Sequence, residues 1–411
     1  MSDLRVLALV PVSHDAGKLA RYSFLDEELR ALAAAGVDIF VFSAAATGSS
    51  DSGRIHVRPL PSDSPEWRRR TLGFFARSFR DVPLANLQNP QQLYRGLRIE
   101  CAASDLVRRE RISLVHSYFG WPKGYGGQLV KAATGVPLVA GLRGSDINVL
   151  PEHDYGLRRD PSFDRSLVRL LKVADRTVYN SDFLRQRAIK LGAKPARADV
   201  ILKGVRLDLF TSDRRVQART ALGLGATPLI LAVAGLVPIK GIKDILTAVS
   251  MVASAGVDCR LVVCGDGPER AALEAQTASL GLSSRVVLAG KVSRDAIRDY
   301  FAAADVFVHG ALIEAAGNVL VEAMSAGIPI VCTDAGGPAE YVADQQTGFV
   351  VPVASPAAMA DKVLWLLAHD RDRRDFGARG RARVEAKFSY GRMTDETLGV
   401  YRDEMARAHI R

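Results

Sequence analysis

Two kinds of apolar pattern alternate along this chain. Short, nearly continuous apolar runs recur at Arg5–Val12, Val37–Phe42, Ser113–His116, Pro137–Gly141 and Arg176–Tyr179. A run of that length without polar alternation predicts a parallel strand buried on both faces. Between the runs, apolar positions fall at helical spacing, as around Phe24–Ala34 and near Gly127–Thr134. The second half repeats the scheme, with predicted strands at Pro228–Ala234, Arg260–Cys264, Val286–Ala289, Val306–His309 and Ile328–Cys332. Strands alternating with helices predict parallel sheets covered on both faces, with ligands at the carboxyl ends of the strands. Periodicity lapses near Gly204–Asp213. The pattern therefore predicts two doubly wound α/β domains, residues 1–205 and 206–388, followed by a terminal segment, 389–411, with a helix at about Tyr390–Ala408. There is no internal repeat and no low-complexity tract.

Composition narrows the class. At 411 residues, 48% hydrophobic and 24% charged, the chain is an ordinary globular protein long enough for two or three cores. The apolar run at Val6–Val12 is far too short to span a bilayer, and no signal-peptide layout precedes it. Cys101, Cys259, Cys264 and Cys332 are scattered, which predicts reduced, buried thiols and a cytoplasmic setting. The net charge of +10 is unevenly spread: residues 1–200 hold 30 Lys and Arg against 21 Asp and Glu, residues 201–411 hold 25 against 24. The first domain is the basic one. The aromatic platforms and motif spacings of nucleic-acid binders are absent, so the expected partner is an anionic membrane surface or a phosphorylated acceptor.

The densest chemistry lies in EAAGNVLVEAMSAGIP, Glu314–Pro329. Glu314 and Glu322 stand eight apart, with Gly317 and Asn318 between them, and a helical pattern starts at Asn318. With Asn318 as its cap, the helix would turn open N–H groups and the positive end of its dipole, at Gly317, Asn318 and Val319, toward the preceding loop. That is a seat for a diphosphate. Glu322 lies one turn in on the same side, and Glu314 lies in the loop before it. One carboxylate can accept from ribose hydroxyls and the other from a sugar.

This element resembles the E-x7-E signature of the family 4 retaining glycosyltransferases. The likeness runs in order along nearly the whole chain: SFLDEELRALAAAGVDIFVFS at Ser23–Ser43, ILKGVRLDLF at Ile201–Phe210, LAVAGLVPIKG at Leu231–Gly241, LVVCGDGPE at Leu261–Glu269 and TDAGGPAEYV at Thr333–Val342. The resemblance is nearest to the bacterial polysaccharide-biosynthesis branch. It implies the GT-B architecture, two Rossmann-like domains facing a cleft, with the last helix crossing back to the first. It implies a nucleotide-sugar donor, by default a UDP-sugar, and a hydroxyl acceptor, by default a lipid-linked saccharide, with a soluble small molecule as the other acceptor class. It implies Lys240 as a diphosphate ligand and catalytic group beside Glu314. Donor-side positions would be Gly17, Gly235, Gly265, Lys291 and Val292, the last two holding the base through backbone groups. Relatives usually carry arginine where this chain has Gly235, and histidine where it has Arg143. Arg143, in GLRGSD (Gly141–Asp146), is read either as a replacement phosphate ligand, hence catalytic, or as a local partner of Asp146. Asp146, Asn148 and Tyr155 are acceptor-side candidates, with His153 lying beside them. His116 reads as a satisfied core histidine.

Two further motifs need placing. In Pro65–Asp81, Trp67, Leu72, Phe74, Phe75 and Phe79 share one helical arc and Arg69, Arg70, Arg77 and Arg80 another. The helix predicts either a peripheral contact with anionic membrane or aromatics packed into the first domain. Asp370-Arg-Asp372 mimics a metal-binding DxD but lies in a charged stretch with no strand before it, so no metal is expected. Two rival classes remain, a nucleotide-sugar-binding partner without turnover and a nucleotide-sugar epimerase.

Overall fold

A computed structural model of the chain describes residues 4–11, 18–19, 23–78 and 90–409. They form two compact units, residues 1–201 with 390–411, and residues 202–389. The carboxy-terminal helix, Tyr390–His409, thus belongs to the first unit.

The first unit carries strands β1 (Arg5–Leu9), β2 (Asp38–Ser43), β3 (Ser50–Ser52), β4 (Ile55–Pro59), β5 (Leu114–Tyr118), β6 (Leu138–Leu142), β7 (Arg176–Tyr179) and β8 (Ala198–Val200). Their order is β3-β4-β2-β1-β5-β6-β7-β8, parallel throughout except for the β3–β4 edge pair. Val6, Ala8, Ile39, Val41, Leu114, Val139 and Val178 line one face. Against it pack Leu25, Leu29 and Leu32 of the helix Ser23–Ala34, and Met393, Leu398 and Tyr401 of the terminal helix. His116 is the core histidine its position predicted: its Nδ1 lies 2.6 Å from the Tyr401 hydroxyl, and burial pulls its pKa down to about 3.

The second unit carries β9 (Leu229–Val233), β10 (Arg260–Cys264), β11 (Val286–Gly290), β12 (Val306–His309), β13 (Ile330–Thr333) and β14 (Gly348–Val351), all parallel, in the order β11-β10-β9-β12-β13-β14. Successive residues of each strand feed separate cores on the two faces. Leu229, Leu231, Val262, Phe307 and Ile330 face one; Ile230, Ala232, Leu261, Val263, Val308 and Val331 face the other. Two apolar faces per strand account for the continuous apolar runs. The winding reverses at β9, which has β10 on one side and β12 on the other. In such sheets the ligand position is outside the carboxyl ends of the strands at that reversal.

All four cysteines are buried thiols. No helix among the described residues is long and apolar enough to cross a membrane. The apolar arc of the helix Pro65–Ser78 is turned inward: Phe74 is buried with Leu97, Cys101, Tyr125 and Leu129, and Trp67 and Phe75 pack against that cluster. Among the described residues of the arc Leu72 is exposed, Trp67 and Phe75 are half-buried and Phe74 is buried. Phe79 and Arg80 lie outside the described residues. Asp370 of the DxD-like run opens the helix Asp370–Lys387, where it pairs with Arg373 and, at 2.5 Å, with Arg374.

Candidate functional site

The loops after β9 and β12 meet at the reversal of the second sheet. After β9 the chain makes a single turn, Pro238–Lys240, and stops it at Gly241 with φ +59°. A Cβ at Gly241 would stand 1.9 Å from the Gly310 carbonyl oxygen, so this position needs glycine twice over. Leu312 N–H donates to the Ile239 carbonyl at 2.8 Å and ties the two loops together. Lys240 is thereby set opposite Glu314, with Nζ 2.5 Å from Oε2.

Glu314 is fixed from behind by the loop after β13. Its N–H donates to the Ala335 carbonyl at 2.9 Å, and its carbonyl accepts from Gly337 N–H at 3.0 Å. A side chain at Gly337 would collide with the Ala315 carbonyl, its Cβ 2.0 Å away. In TDAGGPAEYV, Gly337 is therefore an instance of close backbone approach, and Gly336 takes a φ of +103°. Of the carboxylate oxygens, Oε1 accepts from Ala315 N–H at 3.0 Å. Oε2 faces both Lys240 and the Nε2 of His309, 3.7 Å away. Burial pushes the Glu314 carboxyl up, but the His309 imidazole and the Lys240 charge outweigh it and hold the group well below the usual carboxylate range.

The helix after Glu314 runs Asn318–Ser325 and is capped by Gly317 at φ +84°, with no side-chain cap bond. This corrects the expectation that Asn318 is the cap: Asn318 is the first helical residue, and its side chain is exposed. The physical reason is the left-handed entry into the helix, which asparagine tolerates less well than glycine. Val319 and Glu322 are half-buried on this helix. GDGPE packs its backbone on the loop after β9: Gly265, at φ +152°, would place a Cβ 1.7 Å from the Ala234 carbonyl oxygen, and Gly267 one 2.5 Å from that of Leu236. Gly235 differs, since the nearest atom to a Cβ there is Asp266 O at 3.9 Å. Its lack of a side chain is not a packing requirement. Past β11, Lys291 is exposed and Val292 packs against the core. Gly17 lies outside the described residues.

The remaining candidates sit on the first unit. Asp146 is buried and accepts from the N–H groups of Gly144 at 2.9 Å, Gly120 at 3.0 Å and Arg143 at 3.3 Å. Burial pushes its carboxyl up against those bonds. The local partner expected for the Arg143 guanidinium was Asp146; the structure gives it Glu28 instead, with Nη2 2.9 and 3.1 Å from the two carboxylate oxygens. Glu28 is buried and Arg143 half-buried, and the guanidinium also lies 5.5 Å from the Tyr118 ring centre. The reason is reach: Asp146 is already saturated by backbone donors beneath the loop. Asn148 is fully buried, and Tyr155 is half-buried in a short bridge with Leu150. Sequence reading missed His309 as a neighbour of Glu314. Its signal was a histidine closing an apolar strand five residues before the motif.

Comparison with known proteins gives the family and the fold. Residues 23–209 match the family model described as Glycosyltransferase Family 4, and residues 217–383 the one described as Glycosyl transferases group 1. D-inositol 3-phosphate glycosyltransferases of Mycobacterium bovis and Mycobacterium tuberculosis are 31% identical over 424 residues, covering 95% of this chain and 80% of theirs. Among solved structures, sucrose-phosphate synthase of Thermosynechococcus elongatus superposes with a TM-score of 0.79 at 22% identity, over 98% of this chain and 100% of that one. Anabaena HepE in complex with UDP and glucose gives 0.72 at 19%, over 97% and 100%. At these identities the structural likeness is one of fold. Two Rossmann-like parallel-sheet units in one chain, matched along their length in this way, define a glycosyltransferase of the GT-B fold. The chain belongs to the family 4, group 1 glycosyltransferases.

Proposed function

We propose that the protein is a retaining glycosyltransferase that moves a sugar from a UDP-sugar to a hydroxyl of a small, phosphorylated acceptor in the cytoplasm. The observation that carries the reading is the Lys240–Glu314 pair at the reversal of the second sheet, beside the amides of Gly317–Val319. In this reading Lys240 meets the donor diphosphate as a point charge and the amides complete its seat. Glu314, held ionised, accepts from hydroxyls of the transferred sugar, and Glu322 accepts from the ribose. A retaining transfer needs no enzyme nucleophile when a donor phosphate oxygen takes the acceptor proton on the same face. Catalysis then rests on positioning and on stabilising the leaving diphosphate.

The phosphorylated acceptor is supported by the basic first domain, +9 over residues 1–200, and by the printed activity of the 31%-identical relatives, which act on inositol 3-phosphate. A lipid-linked saccharide in polysaccharide synthesis is the second reading. The same basic charge favours it, through electrostatic contact with an anionic membrane. The test is a thermal-shift screen of nucleotide sugars, followed by mass spectrometry with phosphorylated polyols and with a lipid-linked saccharide in vesicles. NMR of the product anomer reports retention. No thermal shift with any nucleotide sugar would overturn the donor assignment, and donor binding without hydrolysis or transfer would favour a non-catalytic binding partner.

A further inference from the structure

Glu314 is gripped from two sides of different character. Lys240, on its outer side, is a quarter exposed on a flexible stem, whereas His309 is 4% exposed. His309 ends β12, registered against Cys332 of β13. The next residue, Gly310, is wedged under the Lys240 turn, where an added Cβ would stand 2.8 Å from the Gly241 carbonyl oxygen. The buried imidazole has its Nε2 3.7 Å from Glu314 Oε2 and its Nδ1 without a hydrogen-bond partner among the described residues. A buried ring nitrogen without a partner costs free energy, and here that ring is the one facing the site carboxylate.

The two grips cannot both persist in the reading given above. A diphosphate that recruits Lys240 takes the ammonium away from Glu314, which would leave a half-buried carboxylate with its Ala315 amide bond and, apart from His309, no other side-chain partner among the described residues. We infer that His309 is a positioning residue for Glu314: it keeps the carboxylate placed and ionised for the sugar while Lys240 serves the diphosphate. The Nε2 edge of the imidazole, 3.7 Å from Oε2, is what faces the carboxylate. The titratable groups facing Glu314 are then Lys240, from the loop after β9, and His309, from the end of β12. This inference rests on the donor-site reading and adds a group that neither the E-x7-E motif nor the lysine turn contains.

The test has one arm without ligand and one with it. In protein carrying 13C-carboxyl glutamate, with Glu314 assigned from Glu314→Gln, the Glu314 midpoint is followed by NMR. His309→Leu should raise it toward the ordinary carboxylate range, and His309→Gln, whose amide can donate from near the Nε2 position, should restore most of the difference. By calorimetry, His309→Leu should weaken UDP-glucose about tenfold and leave UDP within about twofold, because the sugar contact is lost and the diphosphate contact is not. An unmoved midpoint, or equal weakening of UDP and UDP-glucose, overturns the inference. If His309→Leu does not fold, His309→Gln and His309→Asn decide: only the former should keep the low midpoint. Lys240→Ala separates the two levels of the argument. Unchanged UDP affinity in that variant would refute the donor-site reading whatever the NMR arm shows.

Discussion

Gly235→Arg should tighten UDP binding. The position lies in the loop after β9, five residues before Lys240, where the family resemblance leads to the expectation of an arginine. The fold allows the change: the nearest atom to a Cβ is 3.9 Å away, and φ is not in the left-handed region. Neighbouring Gly241 and Gly265 are the contrast, with carbonyl oxygens at 1.9 and 1.7 Å from a Cβ. A guanidinium bonded to a diphosphate contributes about 1.5–3 kcal/mol. Ordering a long side chain costs up to about 2 kcal/mol, part of which arginine loses even when unliganded. A net gain of about 1 kcal/mol remains, or roughly fivefold in Kd at about 1.4 kcal/mol per decade. Calorimetric titration with UDP at low and at 0.5 M salt, with Gly235→Leu as a control for bulk, reads it directly. The arginine gain should shrink with salt while leucine shows none. A folded arginine variant with wild-type UDP affinity would refute the geometry proposed for the diphosphate. A large loss of stability would refute the claim that the position is roomy.

Other outcomes follow from the same structure. Glu322→Ala should weaken nucleotide-sugar binding by about 1.5–3 kcal/mol with the fold intact, read by calorimetry and circular dichroism. Turnover should survive excess EDTA, since lysine and helix amides can hold the diphosphate; loss restored by magnesium or manganese would reveal a metal requirement. Arg143→Ala should destabilise the first unit by about 3–5 kcal/mol in denaturant titration, because it removes the cation paired with the buried Glu28 carboxylate; an unchanged midpoint would deny that pair its structural role. Glu100, buried beside Lys123, has its carboxyl pushed up to about 7 by burial. A carboxyl whose folded pKa lies above its unfolded value makes stability fall as pH rises from about 4.5 to 7. Glu100→Gln should flatten that slope, and an identical pH profile would refute the assignment.

The sheets were legible because both faces of most strands are buried, which writes a strand as an uninterrupted apolar run. Two of the strands that escaped notice lack that property, whereas Gly348–Val351, a buried apolar run, was missed in spite of it. Ser50–Ser52 is a three-residue, fully exposed edge strand with no apolar residue to announce it. Ile55–Pro59 alternates with His56 and Arg58, the latter buried against Asp51 at 2.6 Å. Within the candidate site, Lys240 and Glu314 were readable because glycines and a short motif frame them. The guanidinium partner of Arg143 was not foreseen because Glu28 lies 115 residues away in sequence, and no local spacing encodes such a pair. His309 was overlooked for a related reason: at the end of a strand, a ligand neighbour and a core residue look alike until the next loop folds back. The helix after Pro65 shows the limit of periodicity, since an aromatic arc reads the same against protein as against lipid.

The assignment of Tyr390–His409 to the first unit means that this unit is discontinuous in the chain, while the second is one unbroken segment. During synthesis, residues 202–389 can complete their fold as they emerge. The first unit must wait, holding one face of its sheet without Met393, Leu398 and Tyr401 and His116 without its hydroxyl partner. The first domain begun is thus the last finished. Its half-covered sheet is a transient, sticky surface that a chaperone would recognise, and a ribosome stalled near residue 389 should display it.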